Sequence, residues 1–417
     1  MSDTSNAAPD EIEFNPLSPE FLKDPYPFYH LLRAKAPIHW FPLGFWVASR
    51  HADINLVLKD KRFGKRYVQR MTGRYGPEIM DNPLYAMMSR WMLTQDPPDH
   101  TRLRGLVVKA FTARRVEEMR PRIQQLVDGL IDAVADRGEM DLIQDFAHPL
   151  PTNVICDMLG IPEPDRPQFT ESSRISARMI DPTPMSDAEM ATSKETTDAL
   201  VVYFEKLFEL RRREPGDDLT TLLVQVEDAG ERLSEDELIA NIILLFGAGH
   251  ETTVNLIGNG LLALHRNPDQ LARLKADPSL IPNAVEELLR FDSSVQMTTR
   301  TALVDLELGG TKIKEGEAVL CLLGAANRDP EVYEDPDRLD VGRPDIQPSS
   351  FGGGIHYCLG AQLARIEAEI ALATLFRRLP DLELHGLDDP DWRPTFTLRG
   401  LTTLPATWTV PAKFAAE

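Results

Sequence analysis

The chain has few cysteines, no long apolar segment and no excess of basic residues. Its three cysteines, Cys156, Cys321 and Cys358, are too few and too far apart for a disulfide framework or a paired-cysteine metal site. No apolar run reaches the roughly 18 residues that a membrane span needs, and the N-terminus lacks the basic and apolar segments of a secretory signal. The formal net charge of −20 argues against binding to nucleic acid. We therefore expect a cytoplasmic protein that uses neither a membrane nor nucleic acid.

Hydrophobic periodicity predicts a mainly α protein with a small β portion. Helical patterns dominate from about residue 98 to 290. Alternating segments that favour strands lie toward the two ends of the chain, near residues 38–49, 297–322 and 394–410. Strands and helices do not alternate regularly, which excludes a doubly wound dinucleotide fold. Without repeats or an obvious linker, we expect one domain over 1–417, with about 1–14 as a flexible tail.

The longest predicted helix begins after Ser234, which stands in capping-box spacing with Glu237, and ends before Pro268. It is apolar on nearly all sides up to Gly249, as expected for a helix that crosses the interior. Four polar residues then follow: His250, Glu251, Thr252 and Thr253. Polar groups inside such a helix need a functional or structural reason.

The segment Phe351–Gly360 places Cys358 at the entrance of a helix among several glycines. Glycine lets the backbone turn tightly and approach a flat ligand, and amides at a helix start can hydrogen-bond to a sulfur anion. These conditions stabilise a thiolate. A lone cysteine before a helix is nevertheless more often a small core residue, so the surrounding pattern decides its interpretation.

This segment resembles the haem-binding signature of the cytochrome P-450 superfamily, F-x-x-G-x-H-x-C-x-G. The matching residues are Phe351, Gly354, His356, Cys358 and Gly360. The resemblance implies a cytochrome P-450 type fold with haem b between the long helix and the cysteine loop. It further implies that Cys358 is the thiolate ligand of the iron, that Phe351 packs beside the sulfur and that His356 reaches a haem propionate.

Other segments match the same family in the expected order. Glu287 and Arg290 resemble the family's E-x-x-R and fall on one helical face, although an isolated pair of this kind is usually a surface ion pair. The resemblance implies that Arg338 completes their buried charge network. It also implies that His100, Arg104 and Arg300 bind the propionates, although each could be an ordinary solvated residue. Carboxylates inside an apolar interior need such partners.

The polar stretch of the long helix resembles the family's oxygen-activating motif. Small residues at Ala248 and Gly249 would leave room for dioxygen, Thr252 would hydrogen-bond to it, and Glu251 would help to relay protons. A zinc-protease H-E-x-x-H is excluded because position 254 is valine.

The resemblance implies a monooxygenase that inserts one atom of dioxygen into a small apolar substrate. No G-x-G-x-x-G fingerprint or flavin domain is visible, so electrons from NAD(P)H must arrive through an external ferredoxin, or a flavodoxin, with its reductase. We expect a monomer. Basic residues in two segments could form a docking patch or be ordinary helix surface: Arg102, Arg104, Lys109, Arg114, Arg115, Arg120, Arg365, Arg377 and Arg378.

The substrate pocket is predicted from the methionine-rich segment 71–91 and from residues near the matched motifs. Its expected lining comprises Met87, Met88, Leu245, Val295 and Phe396. Two alternative functions stay open at this point. One is a haem-thiolate enzyme that uses peroxide or does not oxygenate its substrate, and the other is a non-catalytic haem sensor.

Overall fold

A computed structural model describes residues 15–16, 18–169, 172, 175, 185–226 and 232–410. The predicted tail, residues 1–14, lies outside these residues. The helices are α1 Pro19–Lys23, α2 Tyr26–Lys35, α3 His51–Lys59, α4 Tyr67–Tyr75, α5 Pro83–Met88, α6 Asp99–Ala110, α7 Ala113–Glu118, α8 Arg120–Asp132, α9 Pro149–Leu159, α10 Asp187–Arg213, α11 Leu219–Gln225, α12 Glu235–Arg266, α13 Pro268–Ala276, α14 Ile281–Phe291, α15 Leu323–Asn327 and α16 Ala361–Arg378. The strands are β1 Ile38–Phe41, β2 Phe45–Ala48, β3 Phe63–Gly64, β4 Glu139–Asp141, β5 Met297–Ala302, β6 Leu306–Leu308, β7 Thr311–Ile313, β8 Ala318–Leu322, β9 Glu383–Leu384 and β10 Pro405–Thr407.

Within the described part of the chain, three small sheets flank the helices. The five-stranded sheet has the order β1-β2-β8-β5-β3, the second sheet is β4-β10-β9, and β6 pairs with β7. The predicted strands near 38–49 and 297–322 are therefore confirmed. The segment 394–410 contains only the short β10 and parts of two isolated bridges, because much of it runs as loop past the long helix.

Helix α12 crosses the centre of the molecule and confirms the prediction for the longest helix. Ser234 caps it, and the reciprocal hydrogen bonds of a capping box with Glu237 are both present. Most of its 32 residues are buried, including both sides of its apolar first half. It packs against α9, α14 and α16, so the residues after Gly249 lie inside the main hydrophobic core.

The helical part of the chain has one feature that periodicity did not indicate. Between α8 and α9 the chain forms the strand β4 and then a π-helix over Leu142–Ala147.

Within the described ranges, none of the helices has the length and apolarity to cross a bilayer.

Candidate haem-thiolate site

The cysteine loop holds Cys358 by backbone contacts. The Cys358 N–H donates to the carbonyl oxygen of Phe351 at 3.0 Å, which closes the loop on itself. Gly354 has φ +65°, and a Cβ there would lie 2.1 Å from the carbonyl oxygen of Leu58 on α3, so only glycine fits. The loop is thereby clamped against α3. The accessible surface of Cys358 faces an internal cavity of the fold.

The protonation of Cys358 reflects two opposing effects. Burial within the surrounding protein raises the pKa of its thiol. The N–H of Gly360 and the charges of Arg104 and Arg365 act the other way, because they favour the thiolate. Helix α16 begins at Ala361, directly after these groups. Burial is the largest of these effects, so the pKa lies above its usual value, and the N–H of Gly360 is the backbone donor that the loop offers to a sulfur anion.

Cys358 opens into a cavity of about 610 Å³ between the cysteine loop, α12, α4–α5 and β5. Predicted residues that line it are Ala248, Gly249, Thr252, Arg300, Phe351, His356, Gly360, Met88, Leu245, Val295 and Phe396. The prediction for Met87 is wrong. Because consecutive helical residues point about 100° apart, Met87 turns from the cavity into the hydrophobic core while Met88 faces the cavity.

A cluster of basic side chains lies beside the loop. Lys65, His100 and Arg300 are all buried, and the rings of His100 and His356 lie 4.3 Å apart. Burial and the charges of Arg300 and Arg70 lower the pKa of Lys65, and burial with Arg104 lowers the pKa of His100 to about 4. Neither ring nitrogen of His100, nor Nε2 of His356, has a hydrogen-bond partner within the part of the chain that the structure describes.

These donors fit the two propionates of haem b. Buried polar atoms normally have partners, and cations that depress one another's pKa are relieved by carboxylates. Lys65 and Arg300 would supply charge, and His100 and His356 would supply N–H donors. Arg104 donates to the carbonyl oxygen of Tyr357 at 2.7 Å, and thus also supports the cysteine loop. The donor set and the open side of Gly360 match a flat, dianionic macrocycle.

The polar residues of α12 divide between two environments. Thr252 lines the cavity, where its hydroxyl donates to the carbonyl oxygen of Ala248 at 3.0 Å. Glu251 is absent from the cavity lining; it is buried and forms an ion pair with Arg393. His250 Nδ1 lies 3.7 Å from the other Glu251 oxygen. To relay protons into the cavity, the Glu251 side chain would therefore have to change its conformation, or water would have to connect it to the cavity.

The side chains of His148, His250 and Glu251 could in principle converge on a metal, since their donor atoms all lie within 4.8 Å of one another. Arg393 already pairs with the carboxylate, and a second cation beside it would be repelled. The arrangement is therefore a buried charge cluster next to the cavity.

The E-x-x-R pair is fully buried, and its predicted third member is wrong. Arg290 donates from Nε and Nη2 to the two oxygens of Glu287, each at 2.7 Å. The third member is Arg343, whose Nε lies 3.2 Å from both Glu287 oxygens. Arg338 has an exposed side chain and contributes only its carbonyl oxygen, which accepts from Arg290 and Arg343.

Three residues of this region were missed in the sequence. Arg343 follows Arg338 by five residues, and the sequence motif alone does not distinguish which of the two arginines contacts Glu287. Lys65 stands directly after β3, and only the sheet brings it to Arg300. Arg393 lies 142 residues after Glu251 in sequence, and no local signal links them.

A cavity that joins a cysteine loop, propionate donors and a central helix with a threonine defines a haem-thiolate protein. The family model for cytochrome P450 matches residues 61–408. The vitamin D(3) 25-hydroxylase of Pseudonocardia autotrophica is 42% identical over 93% of this chain and 94% of its own. Among solved structures, P450BioI in complex with an acyl carrier protein bearing hexadec-9Z-enoic acid has a TM-score of 0.87 at 40% identity, over 94% of this chain and 99% of the other. Myxobacterial CYP267B1 with myristic acid has a TM-score of 0.86 at 42% identity, over 94% and 98%.

The chain belongs to the cytochrome P450 family. It has the fold of that family, and it is a haem-thiolate monooxygenase that uses haem b, dioxygen and electrons derived from NAD(P)H through an external redox partner.

Proposed function

We propose that Cys358 is the iron ligand and that residues of α12 deliver protons to the cavity. The residues proposed to hold the propionates are Lys65, His100, Arg104, Arg300 and His356. The observation that carries this assignment is that the unpartnered ring nitrogens of His100 and His356 lie beside one another at the cavity that Cys358, Lys65 and Arg300 line. Haem b, when bound, supplies the metal at which dioxygen is activated. The protein's part is to ligate, to anchor, to exclude water and to deliver protons.

Proton delivery is assigned to Thr252 and Glu251, with Arg393 as a positioning residue. The Thr252 hydroxyl can turn from the Ala248 carbonyl to a ligand in the cavity. Arg393 pairs with the Glu251 carboxylate, which lies outside the cavity lining, so a proton passes from Glu251 to Thr252 only when this ion pair loosens. The pair therefore restricts when protons enter.

Replacing Thr252 by alanine should uncouple oxygen consumption from product formation. Without the hydroxyl, a proton has no ordered donor at the reacting oxygen, and we expect product per oxygen consumed to fall about tenfold or more. The measurement compares oxygen uptake, hydrogen peroxide and product in the same reaction.

Two further variants test this assignment. Thr252→Ser keeps the hydroxyl and should keep most of the coupling. Arg393→Gln should alter the solvent isotope effect on product formation without altering the haem spectrum. Full coupling in Thr252→Ala would contradict the role given to Thr252.

For electron supply we propose a small acidic ferredoxin, or else a flavodoxin, that docks on the basic segments near the cysteine loop. Many of these arginines are already paired within the protein: Arg102 with Glu237, Arg114 with Glu118, Arg115 with Asp217, Arg120 with Glu117 and Glu369, Arg365 with Glu286, and Arg378 with Asp128 and Asp132. The pairs of Arg114 and Arg115 are exposed, and exposed pairs are weak and can exchange partners during docking.

Reversing the charge of Arg114 and Arg115 to glutamate should raise the KM for the ferredoxin about tenfold at low salt, because it opposes an acidic partner. The difference from the unmodified protein should shrink as salt is added. Lys23→Glu, at an exposed lysine paired with Asp389 outside the basic segments, is the control and should leave the KM unchanged. An unchanged KM in the double variant would remove the docking proposal.

The substrate is proposed to be a small apolar molecule, because apolar side chains dominate the cavity lining. Relatives with fatty-acid ligands or vitamin D(3) in their names support this class. A cytoplasmic location, a single domain over 1–417 and a monomeric state stay part of the proposal.

A further inference from the structure

The cavity carries more positive charge than the cofactor needs. Its lining includes four cationic side chains: Lys65, Arg70, Arg74 and Arg300. Among the described residues, the one carboxyl group of the lining is that of Glu367, and burial raises its pKa well above the usual range. This surplus stands out in a chain with a net charge of −20.

Two of these charges are accounted for by the haem site. Lys65 and Arg300 lie beside His100 and His356, and the two propionates would balance them. Arg104 adds a third cation next to the cysteine loop. Arg70 therefore has no carboxylate of the cofactor left to balance it.

Arg70 lies on α4 and is poised to accept an anion. Its Nη1 donates to the Thr299 hydroxyl at 2.8 Å, which fixes the direction of the guanidinium. Its Nε is buried and has no hydrogen-bond partner among the described residues. Within those residues no carboxylate pairs with it, and burial lowers its pKa. An unpaired guanidinium in this position is costly unless a ligand compensates it.

The neighbours of Arg70 complete an anion-binding wall. Arg74 is four residues further along α4 and thus on the same helical face, and it too lines the cavity. The tyrosines Tyr67, Tyr75 and Tyr85 also line the cavity there and offer hydroxyl groups. Beyond this wall the lining is apolar, with side chains such as Met71, Met88, Leu244 and Leu245.

We propose that Arg70, assisted by Arg74, binds the carboxylate of a substrate whose remainder is an apolar chain. A planar guanidinium matches a carboxylate in two parallel hydrogen bonds, and the apolar lining takes the rest of the molecule. The enzyme then selects long-chain carboxylic acids over neutral molecules of the same shape. This inference rests on the proposed function of the cavity as the substrate pocket.

The test compares tetradecanoic acid with 1-tetradecanol, both below their aggregation limits, on the haem-loaded full-length protein. Binding is measured by the shift of the Soret band and, independently, by calorimetry. We expect the acid to bind about tenfold or more tightly than the alcohol, and Arg70→Gln to weaken the acid alone by about ten- to a hundredfold. Arg70→Lys should restore part of the affinity.

Arg66→Gln is the matched control. Arg66 precedes α4 by one residue, pairs with Glu315 and does not line the cavity, so its loss should change neither ligand's affinity. The proposal is overturned if the wild type does not bind the acid, if acid and alcohol bind equally, or if Arg70→Gln weakens both alike or lowers haem content. The carbon monoxide spectrum of each variant distinguishes failure of this inference from failure of the haem assignment. A normal thiolate-type spectrum without selectivity for the acid contradicts the carboxylate-binding inference and leaves the haem assignment intact.

Discussion

Replacing Cys358 by alanine is expected to abolish the thiolate-type spectrum of the reduced, carbon monoxide-bound protein and all reductase-dependent turnover. In the proposed site the sulfur of Cys358, which lines the cavity, ligates the iron, and a thiolate donates electron density that a neutral ligand does not supply. The measurement is the absorption spectrum after reduction by dithionite, with and without carbon monoxide. A strongly red-shifted Soret band should be present in the wild type and missing in the variant.

The other two cysteines provide matched controls. Cys156 and Cys321 are buried, and burial raises the pKa of each to about 12, so both remain neutral thiols. Cys156→Ala and Cys321→Ala should keep the red-shifted band and lose only a little stability. A histidine-type spectrum in the wild type, or one that survives in Cys358→Ala, would overturn the ligand assignment.

The second large effect is expected at Arg343. Replacing it by alanine should lower the free energy of unfolding by about 3 kcal/mol or more, because it leaves the buried Glu287 carboxylate with a single cationic partner. Its guanidinium also donates to the carbonyl oxygens of Glu334, Asp335 and Arg338, which would lose those bonds. Thermal unfolding followed by circular dichroism, together with the rate of haem loss, measures the effect.

Arg338→Ala is the control that distinguishes the structure from the sequence motif. The Arg338 side chain is exposed, and only its carbonyl oxygen takes part in the network, so the substitution should change stability by less than about 0.5 kcal/mol. If Arg338→Ala destabilised the protein as much as Arg343→Ala, the network described above would be wrong.

The two expected results concern different properties of the same loop region. Under the proposed assignment Cys358 determines which chemistry the bound haem can perform. Glu287, Arg290 and Arg343 connect α14 to the chain that precedes the cysteine loop. Arg290 also donates to the carbonyl oxygen of Asn327, and Asn327 accepts the N–H of Ser349 at the start of that loop. A loss of the network should therefore loosen haem before it unfolds the helices.

Local sequence patterns were sufficient wherever the signal lies within a few residues. The capping box at Ser234, the cysteine loop from Phe351 to Gly360 and the pair of Glu287 with Arg290 all depend on short spacings along one element. Helix geometry and backbone hydrogen bonding translate such spacings directly into structure. The mainly α fold followed from the same periodicities.

Tertiary structure alone decided which distant side chains meet. Arg393 reaches Glu251, Lys65 reaches Arg300, and Arg343 replaces Arg338, because loops and sheet edges bring these groups together across long stretches of chain. The facing of Met88 rather than Met87 into the cavity depends on how α5 is rotated against α12. By itself, the sequence determined the haem-thiolate class, because the cysteine and the glycines around it lie in one short loop. The charges that line the proposed substrate pocket were decided by packing, because only the fold places Arg70 and Arg74 at the cavity wall.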